Sequence, residues 1–365
     1  MHKATFYPLG NADTCLIELE KGKWLLFDYA NMRDPENESD LRIDLATELR
    51  NTLTAAKRDY VDVVAFTHGD DDHIHGATDF FYLEHADKYQ DDDRIKIKEL
   101  WVPAAMILEE GVEDECRILR AEARHRLIKG EGIRVFSRPE ALADWLKENG
   151  TSLEARRHLI TDAGQLVPGF SKQTDGVEIF VHSPFGKHCD DETIDRNTAS
   201  LVMQLTFDTN TKLLMTADKP YDVWEDIVQI TKFHKNEIRL AWDLFKLSHH
   251  CSYCGLAEEK GKDKTEPVED MKWLLNQAQN GAIIVSPSDP IPNEDTVQPP
   301  HVQAYKTYKE YVEKVNGQII VTMEHPSETK PEKLVIEIDA LGARPVKRWS
   351  APAAIVTSRP APRAG

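Results

Sequence analysis

The chain has few cysteines and no long apolar segment. Its five cysteines, among 365 residues, are odd in number and widely spread, which argues against a disulfide framework and favours a reducing compartment. No stretch approaches the roughly 18 apolar residues that a membrane-spanning helix needs, and the first residues lack the apolar core of a secretory signal. The sequence therefore predicts a cytoplasmic protein with no membrane partner.

Positive charge is also scarce. The 45 lysines and arginines are outnumbered by 63 aspartates and glutamates, which leaves a formal net charge of −18. A chain this acidic does not cover a nucleic acid or an anionic membrane over a broad face, because like charges repel. Any polyanion would have to be bound locally, through metal ions or a small basic patch.

Length and composition indicate a globular protein. Apolar residues make up 41% of the chain, and its length suits one large or two ordinary domains. Strand-like and helix-like segments alternate, which predicts an α/β layered fold. We expect one domain over residues 1–342, with a helical insertion at 104–160. A Pro-, Ala- and Arg-rich tail at 343–365 is expected to be disordered.

The most informative segment is residues 67–76, Thr-His-Gly-Asp-Asp-Asp-His-Ile-His-Gly. It follows the apolar run 61–66, which is typical of a buried strand. On an extended segment, residues two apart point the same way, so His68 and Asp70 can share one metal ion. A turn after Asp70 lets Asp72 and His73 face a second ion. The alternative is an acidic surface turn with incidental histidines.

Other candidate ligands follow other apolar runs. Asp28 and Asp218 each end such a run, and the adjacent His249 and His250 follow a third. Side chains at the ends of separate strands meet at one rim of an α/β sheet. An aspartate between two ligand sets is how two divalent cations are held roughly 3.5–4 Å apart. This arrangement predicts a centre of two divalent ions, Zn²⁺ or Mn²⁺.

Roles can be assigned from this chemistry. We expect His68 and Asp70 on one ion, with Asp218 as the bridge to the other. The second ion would take Asp72, His73 and one of the two adjacent histidines. His249 is slightly favoured as that ligand, and His250 would then lie behind it or face a phosphate. Asp28 would orient a ligand by a hydrogen bond.

The same motifs carry a family resemblance over about residues 4–340. The chain resembles the metallo-β-lactamase superfamily, in particular the hydrolase domain of ComEC-type competence proteins, which act in DNA uptake. The matching elements are the strand pair 6–19, the strand 24–28, His68-Gly-Asp70-Asp-Asp72-His73, Asn197-Thr-Ala-Ser200, Thr216-Ala-Asp218 and Lys246-Leu-Ser-His249-His250.

The resemblance implies a four-layer αβ/βα sandwich and a two-metal hydrolase. The expected activity is phosphodiester hydrolysis of a nucleic acid by a metal-bridging hydroxide. A small-molecule phosphodiesterase or a lactonase-type hydrolase is the alternative, and the −18 charge supports it. A catalytically silent, metal-bound module of a larger assembly is the alternative from another class.

Some further residues have weaker support. His182 could complete the first ion's ligands or be structural, and Asn197 could contact metal or substrate or cap a turn. Arg117, Arg120 and Arg124 lie at helical spacing and are the best candidates for contacts to a nucleic-acid backbone. The alternative for these arginines is a solvated helix face paired with neighbouring glutamates.

Overall fold

The computed structural model of the chain describes residues 1–190 and 193–346. Within these ranges the strands are β1 (His2–Phe6), β2 (Cys15–Glu18), β3 (Trp24–Phe27), β4 (Tyr60–Ala65), β5 (Lys96–Pro103), β6 (Ile133–Phe136), β7 (Ile160–Thr161), β8 (Val177–Ser183), β9 (Val202–Phe207), β10 (Lys212–Met215), β11 (Trp242–Lys246), β12 (Ala278–Ser286), β13 (Gln318–Val321), β14 (Leu334–Asp339) and β15 (Gly342–Pro345). The α-helices of the same ranges are α1 (Leu45–Ala55), α2 (Asp71–Ile74), α3 (Ala77–Phe80), α4 (Ala104–Leu108), α5 (Asp114–Lys129), α6 (Glu140–Glu148), α7 (Leu153–Arg156), α8 (Tyr221–Phe233), α9 (Glu269–Leu275) and α10 (Val302–Glu313).

The strands form two mixed sheets. The order in the first is β15-β14-β1-β2-β3-β4-β5-β6-β7, and in the second β13-β12-β11-β10-β9-β8. Strands β3 to β7 run parallel to one another, as do β10 to β13. The carboxyl ends of the parallel strands therefore lie along one rim of each sheet, where the residues that follow them can meet.

The two sheets pack face to face around a shared core. In β3, Leu25 and Phe27 enter the apolar cluster between the sheets, whereas Leu26 belongs to the cluster on the outer face. In β10, Leu213 points inward and Leu214 outward. This alternation follows from the two-residue period of a strand, and it makes both faces of each sheet apolar.

Helices cover both outer faces. Helix α1 buries Leu45, Leu49 and Leu53 on one stripe, and with α4, α5 and α6 it covers the first sheet. Helices α8, α9 and α10 cover the second sheet. The expected four-layer αβ/βα sandwich is therefore confirmed. No helix among the described residues combines the length and the apolar character needed to cross a membrane.

Residues 104–160 are not a purely helical insertion. They contain β6, which is buried along its length and pairs in parallel with β5, with Leu100 opposite Ile133. The strand is only four residues long and is flanked by helices rich in Glu, Arg and Leu, so the helical period dominates this part of the sequence. The segment continues the alternation of strands and helices in the first sheet.

The predicted tail begins too early. Strand β15 pairs antiparallel with β14, with Ala343 opposite Ile338 and Pro345 opposite Ile336. A proline is tolerated here because β15 is the edge strand of its sheet and its outer side needs no donor. The rest of the predicted tail, residues 347–365, lies outside the described residues.

Candidate metal centre

Five loops place acidic and histidine side chains at one rim between the sheets. The turn between β1 and β2 carries Asp13, and Asp28 directly follows β3. The loop after β4 carries the HxDxDH run, residues 68–73. From the second sheet, Asp218 follows β10 and His250 follows β11. Each loop begins or ends at a buried strand, so the core of the sandwich fixes the positions of these side chains.

Four of these side chains form a compact buried cluster. Asp13, His73, Asp218 and His250 each offer a ligand atom, and these atoms all lie within 4.8 Å of one another. His73 Nε2 is 3.3 Å from Asp218 Oδ1 and 3.6 Å from Asp13 Oδ2. His250 Nε2 is 3.5 Å from Asp218 Oδ2. Two imidazoles thus face two carboxylates in the geometry of a ligand set.

The other residues of the HxDxDH run adjoin this cluster. The rings of His68 and His73 have centroids 4.0 Å apart, and His68 Nε2 is 3.4 Å from Asp70 Oδ2. Asp72 Oδ2 is 2.9 Å from His250 Nε2. The structure therefore brings the four ligands predicted in this run together with Asp218.

Several of the converging atoms have no hydrogen-bond partner within the described part of the chain. They are His68 Nε2, His73 Nε2 and Asp218 Oδ1, and all three are buried. Buried polar atoms are nearly always paired, so three unpaired atoms that face one another call for a missing partner. Imidazole nitrogen and carboxylate oxygen are ligands of Zn²⁺ and Mn²⁺. These residues therefore fit a divalent metal.

Hydrogen bonds behind the cluster orient its two histidines. His73 Nδ1 donates to Asp28 Oδ2 over 2.8 Å, and His250 Nδ1 donates to the carbonyl of Pro287 over 2.7 Å. Each bond leaves Nε2 directed at the cluster. Asp28 is itself held by the backbone N–H and the hydroxyl of Thr67, both at 2.7 Å. Asp28 thus lies where the sequence places a residue that orients a ligand.

Asp28→Asn should weaken metal binding and lower kcat/KM by about 10–100-fold. The amide is the same size as the carboxylate but brings no negative charge to His73 Nδ1. Metal titration and initial rates at excess metal measure the two effects. Asp62→Asn is the matched control, since Asp62 also accepts a strand N–H, that of Trp24, near the start of β4. Equal losses in both variants would contradict this role for Asp28.

Carboxylates change the pKa values of the buried histidines. Burial disfavours the charged form of His250, but Asp218 and Asp72 outweigh it and raise its pKa to about 10. Burial is likewise outweighed at His73, where Asp218, Asp28 and Asp72 raise the pKa well above its usual range. The same histidines hold the pKa of Asp218 well below its usual range against the effect of burial. Without metal, the pocket therefore holds protons.

Metal uptake should release those protons, and the affinity should rise with pH. With raised pKa values, His250 and His73 are protonated at neutral pH in the metal-free protein, whereas ligation needs neutral imidazole. The metal-free state binds more protons, so higher pH favours the metal-bound state, by about ten- to a hundredfold per pH unit for one or two protons. Calorimetric Zn²⁺ titrations in buffers of different ionisation enthalpy measure the release. A pH-independent affinity would contradict it.

Two residues of the centre were missed in the sequence. Asp13 belongs to the cluster, and the buried ammonium of Lys246 forms an ion pair with its carboxylate. Burial raises the pKa of Asp13, and Lys246 partly offsets this. The available signals were a polar turn ending at Asp13 and a lysine inside an apolar strand. Neither indicates a ligand without knowledge of the contact between them.

The structure reverses the preference between the two adjacent histidines. His250 is buried in the cluster. The side chain of His249 is 32% exposed, and its Nδ1 lies 3.8 Å from Asp218 Oδ2. Residues His249, His250 and Cys251 have positive φ angles of 48°, 49° and 63°. This unusual backbone decides which ring faces inward, and neither strand nor helix periodicity predicts it.

His182 does not join the cluster. It lies on β8, and its Nε2 donates to the carbonyl of Arg239 at 2.8 Å. Burial lowers its pKa to about 4, so it is neutral. Its ring packs edge-on to Phe180. Because residues two apart share a strand face, His182 and Phe180 point to the same side. The structural alternative fits His182.

Asn197 lies near the ligand loop but not in the cluster. The turn it belongs to leads into β9, where the N–H of Leu201 donates to the carbonyl of Thr67 at 3.1 Å. The Asn197 carbonyl accepts hydrogen bonds from Ser200 Oγ and from the buried Lys219 Nζ. Its side-chain Oδ1 is buried without a hydrogen-bond partner among the described residues.

The expected basic face on α5 is largely neutralised. Arg120 and Arg124 both pair with Glu110, and Arg124 Nε donates to the carbonyl of Ile107. Arg117 is exposed. The arginines thus tie α5 to the end of α4, which is the ion-paired alternative.

No family model matches the chain, and no curated protein does. Among solved structures, the chain is similar to a possible metal-dependent hydrolase from Veillonella parvula, with 10% identity, a TM-score of 0.39 and coverage of 91% of this chain and 98% of that one. A diphosphatase from the PhnP family matches with 10% identity, a TM-score of 0.36 and coverage of 93% and 98%. A metallo-β-lactamase mutant from Cronobacter sakazakii matches with 13% identity, a TM-score of 0.28 and coverage of 68% and 78%. At these similarities, function has to be inferred from the site.

Proposed function

We propose that the protein is a metal-dependent hydrolase of phosphodiesters that uses two divalent ions. The observation that supports this most directly is the group of unpaired buried atoms, His68 Nε2, His73 Nε2 and Asp218 Oδ1, which face one another at the rim between the sheets. A merely structural histidine–aspartate cluster would have its hydrogen bonds satisfied.

The ligands divide between two positions on either side of Asp218. His68 and Asp70 would hold one ion. Asp72, His73 and His250 would hold the other, with Asp13 beside them. When bound, divalent ions acidify a water molecule and stabilise the charge that develops on phosphorus.

The chain's own residues prepare the site for that chemistry. The Asp28 carboxylate and the Pro287 carbonyl fix the rings of His73 and His250. The Lys246 ammonium pairs with Asp13 and balances part of the negative charge. Since the side chains of Asp70 and Asp72 are 37% and 32% exposed, the open side of the centre is the side of the HxDxDH run. A substrate would approach from there.

A small phosphodiester fits the described surface better than a nucleic acid does. The arginines that could follow a phosphate backbone, Arg120 and Arg124, are paired with Glu110, and the net charge is −18. Nucleic-acid hydrolysis stays the prediction from the ComEC-type motifs. A catalytically silent metal-bound module is the remaining possibility.

Purified protein with Mn²⁺, Zn²⁺ or Mg²⁺ should hydrolyse bis-p-nitrophenyl phosphate. The test set also contains single- and double-stranded DNA and RNA. If a small phosphodiester is the substrate, then Arg120→Glu with Arg124→Glu should leave turnover of every compound nearly unchanged. Selective loss on DNA or RNA, together with a steep decrease of binding with salt, would favour the nucleic acid. Bound metal without turnover of any compound would reject the enzyme proposal.

A further inference from the structure

A guanidinium group links the ligand loop to the end of α4. Arg196 Nη1 donates to Asp70 Oδ1 at 2.8 Å and to the carbonyl of Gly69 at 3.0 Å. Its Nε lies 2.9 Å from both carboxylate oxygens of Glu109. Within the described residues, the hydrogen bonds of Arg196 thus go to the ligand loop on one side and to an anchoring carboxylate on the other.

The two oxygens of Asp70 face different partners. Oδ1 accepts the bond from Arg196, whereas Oδ2 lies 3.4 Å from His68 Nε2. The latter atom is one of the buried atoms without a hydrogen-bond partner. Arg196 therefore occupies the side of the carboxylate that points away from the proposed metal.

The backbone next to Asp70 is confined as well. A Cβ added to Gly69 would come within 2.5 Å of Cys116 Sγ on α5, a distance at which one of the two would have to move. The ligand loop therefore packs against α5 at Gly69, and its carbonyl is held by Arg196. Asp70 is thus positioned through both its backbone neighbour and its side chain.

We propose that Arg196 is a positioning residue that directs Asp70 Oδ2 toward the metal shared with His68. This inference depends on metal binding at the proposed centre. A charged hydrogen bond to one carboxylate oxygen removes rotational freedom and presents the other oxygen in a fixed direction. Lysine cannot replace this function fully, because its single ammonium lacks the planar set of donors that contacts Asp70, Gly69 and Glu109 together.

The first test compares two arginines that differ in location. Arg196→Met should weaken at least one metal-binding step by about 10–100-fold, measured by competition with a chelator. Arg239→Met is the matched control, since Arg239 pairs with Glu178 at 2.6 Å and is similarly buried. It should leave every step unchanged. Arg196→Lys should fall between the wild type and Arg196→Met. Wild-type affinity in Arg196→Met, or an equal loss in the control, would overturn the proposal.

A double-mutant cycle tests whether Arg196 acts through Asp70. In the Asp70→Ala background, Arg196→Met should change metal affinity by less than about threefold, because the group it positions is gone. Independent, additive losses would overturn the proposal. Thermal melting of each metal-free variant establishes that it is folded, and Arg196→Lys takes the place of Arg196→Met if the latter does not fold.

The affinities do not depend on turnover, so this inference and the proposed activity can fail separately. If the wild type binds metal but hydrolyses nothing, the proposed enzyme is rejected, while the expected affinity pattern would still support Arg196 as a positioning residue. If the wild type is active but the affinities of Arg196→Met are unchanged, Arg196 does not position Asp70 and the proposed enzyme stands.

Discussion

Asp218→Asn should nearly abolish hydrolysis of bis-p-nitrophenyl phosphate. Asp218 is the member of the cluster between the two ligand sets, with one oxygen 3.3 Å from His73 and the other 3.5 Å from His250. Because it would be shared by both ions, its loss should exceed the roughly 10–100-fold effect that is typical of removing a residue behind a metal ligand. Metal content, measured on the same sample, should fall as well.

The fold should survive this substitution. Asp218 lies beyond the end of β10, and the apolar clusters that hold the sheets together do not include it. Asp243→Asn is the matched control, since this half-buried aspartate accepts the N–H of Lys212 at the opposite end of β11. It should keep wild-type activity. A folded Asp218→Asn variant with normal turnover would show that the centre lies elsewhere.

His250→Ala should remove activity and metal binding, whereas His249→Ala should have a much smaller effect. His250 is buried, with Nε2 2.9 Å from Asp72 and 3.5 Å from Asp218, whereas His249 is partly exposed. We expect the loss in His250→Ala to exceed about 100-fold, and that in His249→Ala to be at least about tenfold smaller.

The two neighbours serve as controls for each other, because the substitution is the same at adjacent positions. Metal titration and initial rates should give the same order of effects. The reverse order would mean that His249 is the ligand and that metal binding rearranges the backbone at these residues. Addition of imidazole gives a further check, since a free ring can occupy the space left by a missing histidine ligand.

Local patterns in the sequence were sufficient for much of the site. The HxDxDH run places four potential ligands within six residues, and its position after an apolar strand indicates a rim of a sheet. The same reasoning applies to Asp28 and Asp218, each at the end of an apolar run. Such predictions succeed because the chain between the ligands is short, or because parallel strands necessarily end on the same side of a sheet.

The predictions that failed depended on irregular backbone or on pairs distant in sequence. Consecutive positive φ angles turn His250 inward and leave His249 toward solvent. His182 faces the outer side of β8, where a backbone carbonyl satisfies it. The helical insertion contains a strand, because a four-residue strand between two helices leaves little periodic signal.

The sequence by itself determined the layered α/β fold, the ligand loop and the type of chemistry, since these depend on alternation, strand ends and local ligand spacing. Only the tertiary structure decided which side chains complete the centre. Asp13 and Lys246 are 233 residues apart, and Arg196 and Asp70 are 126 apart. These pairs meet because the two sheets pack face to face and bring their rims together. No local pattern carries that information, because the contact depends on the packing of the whole core.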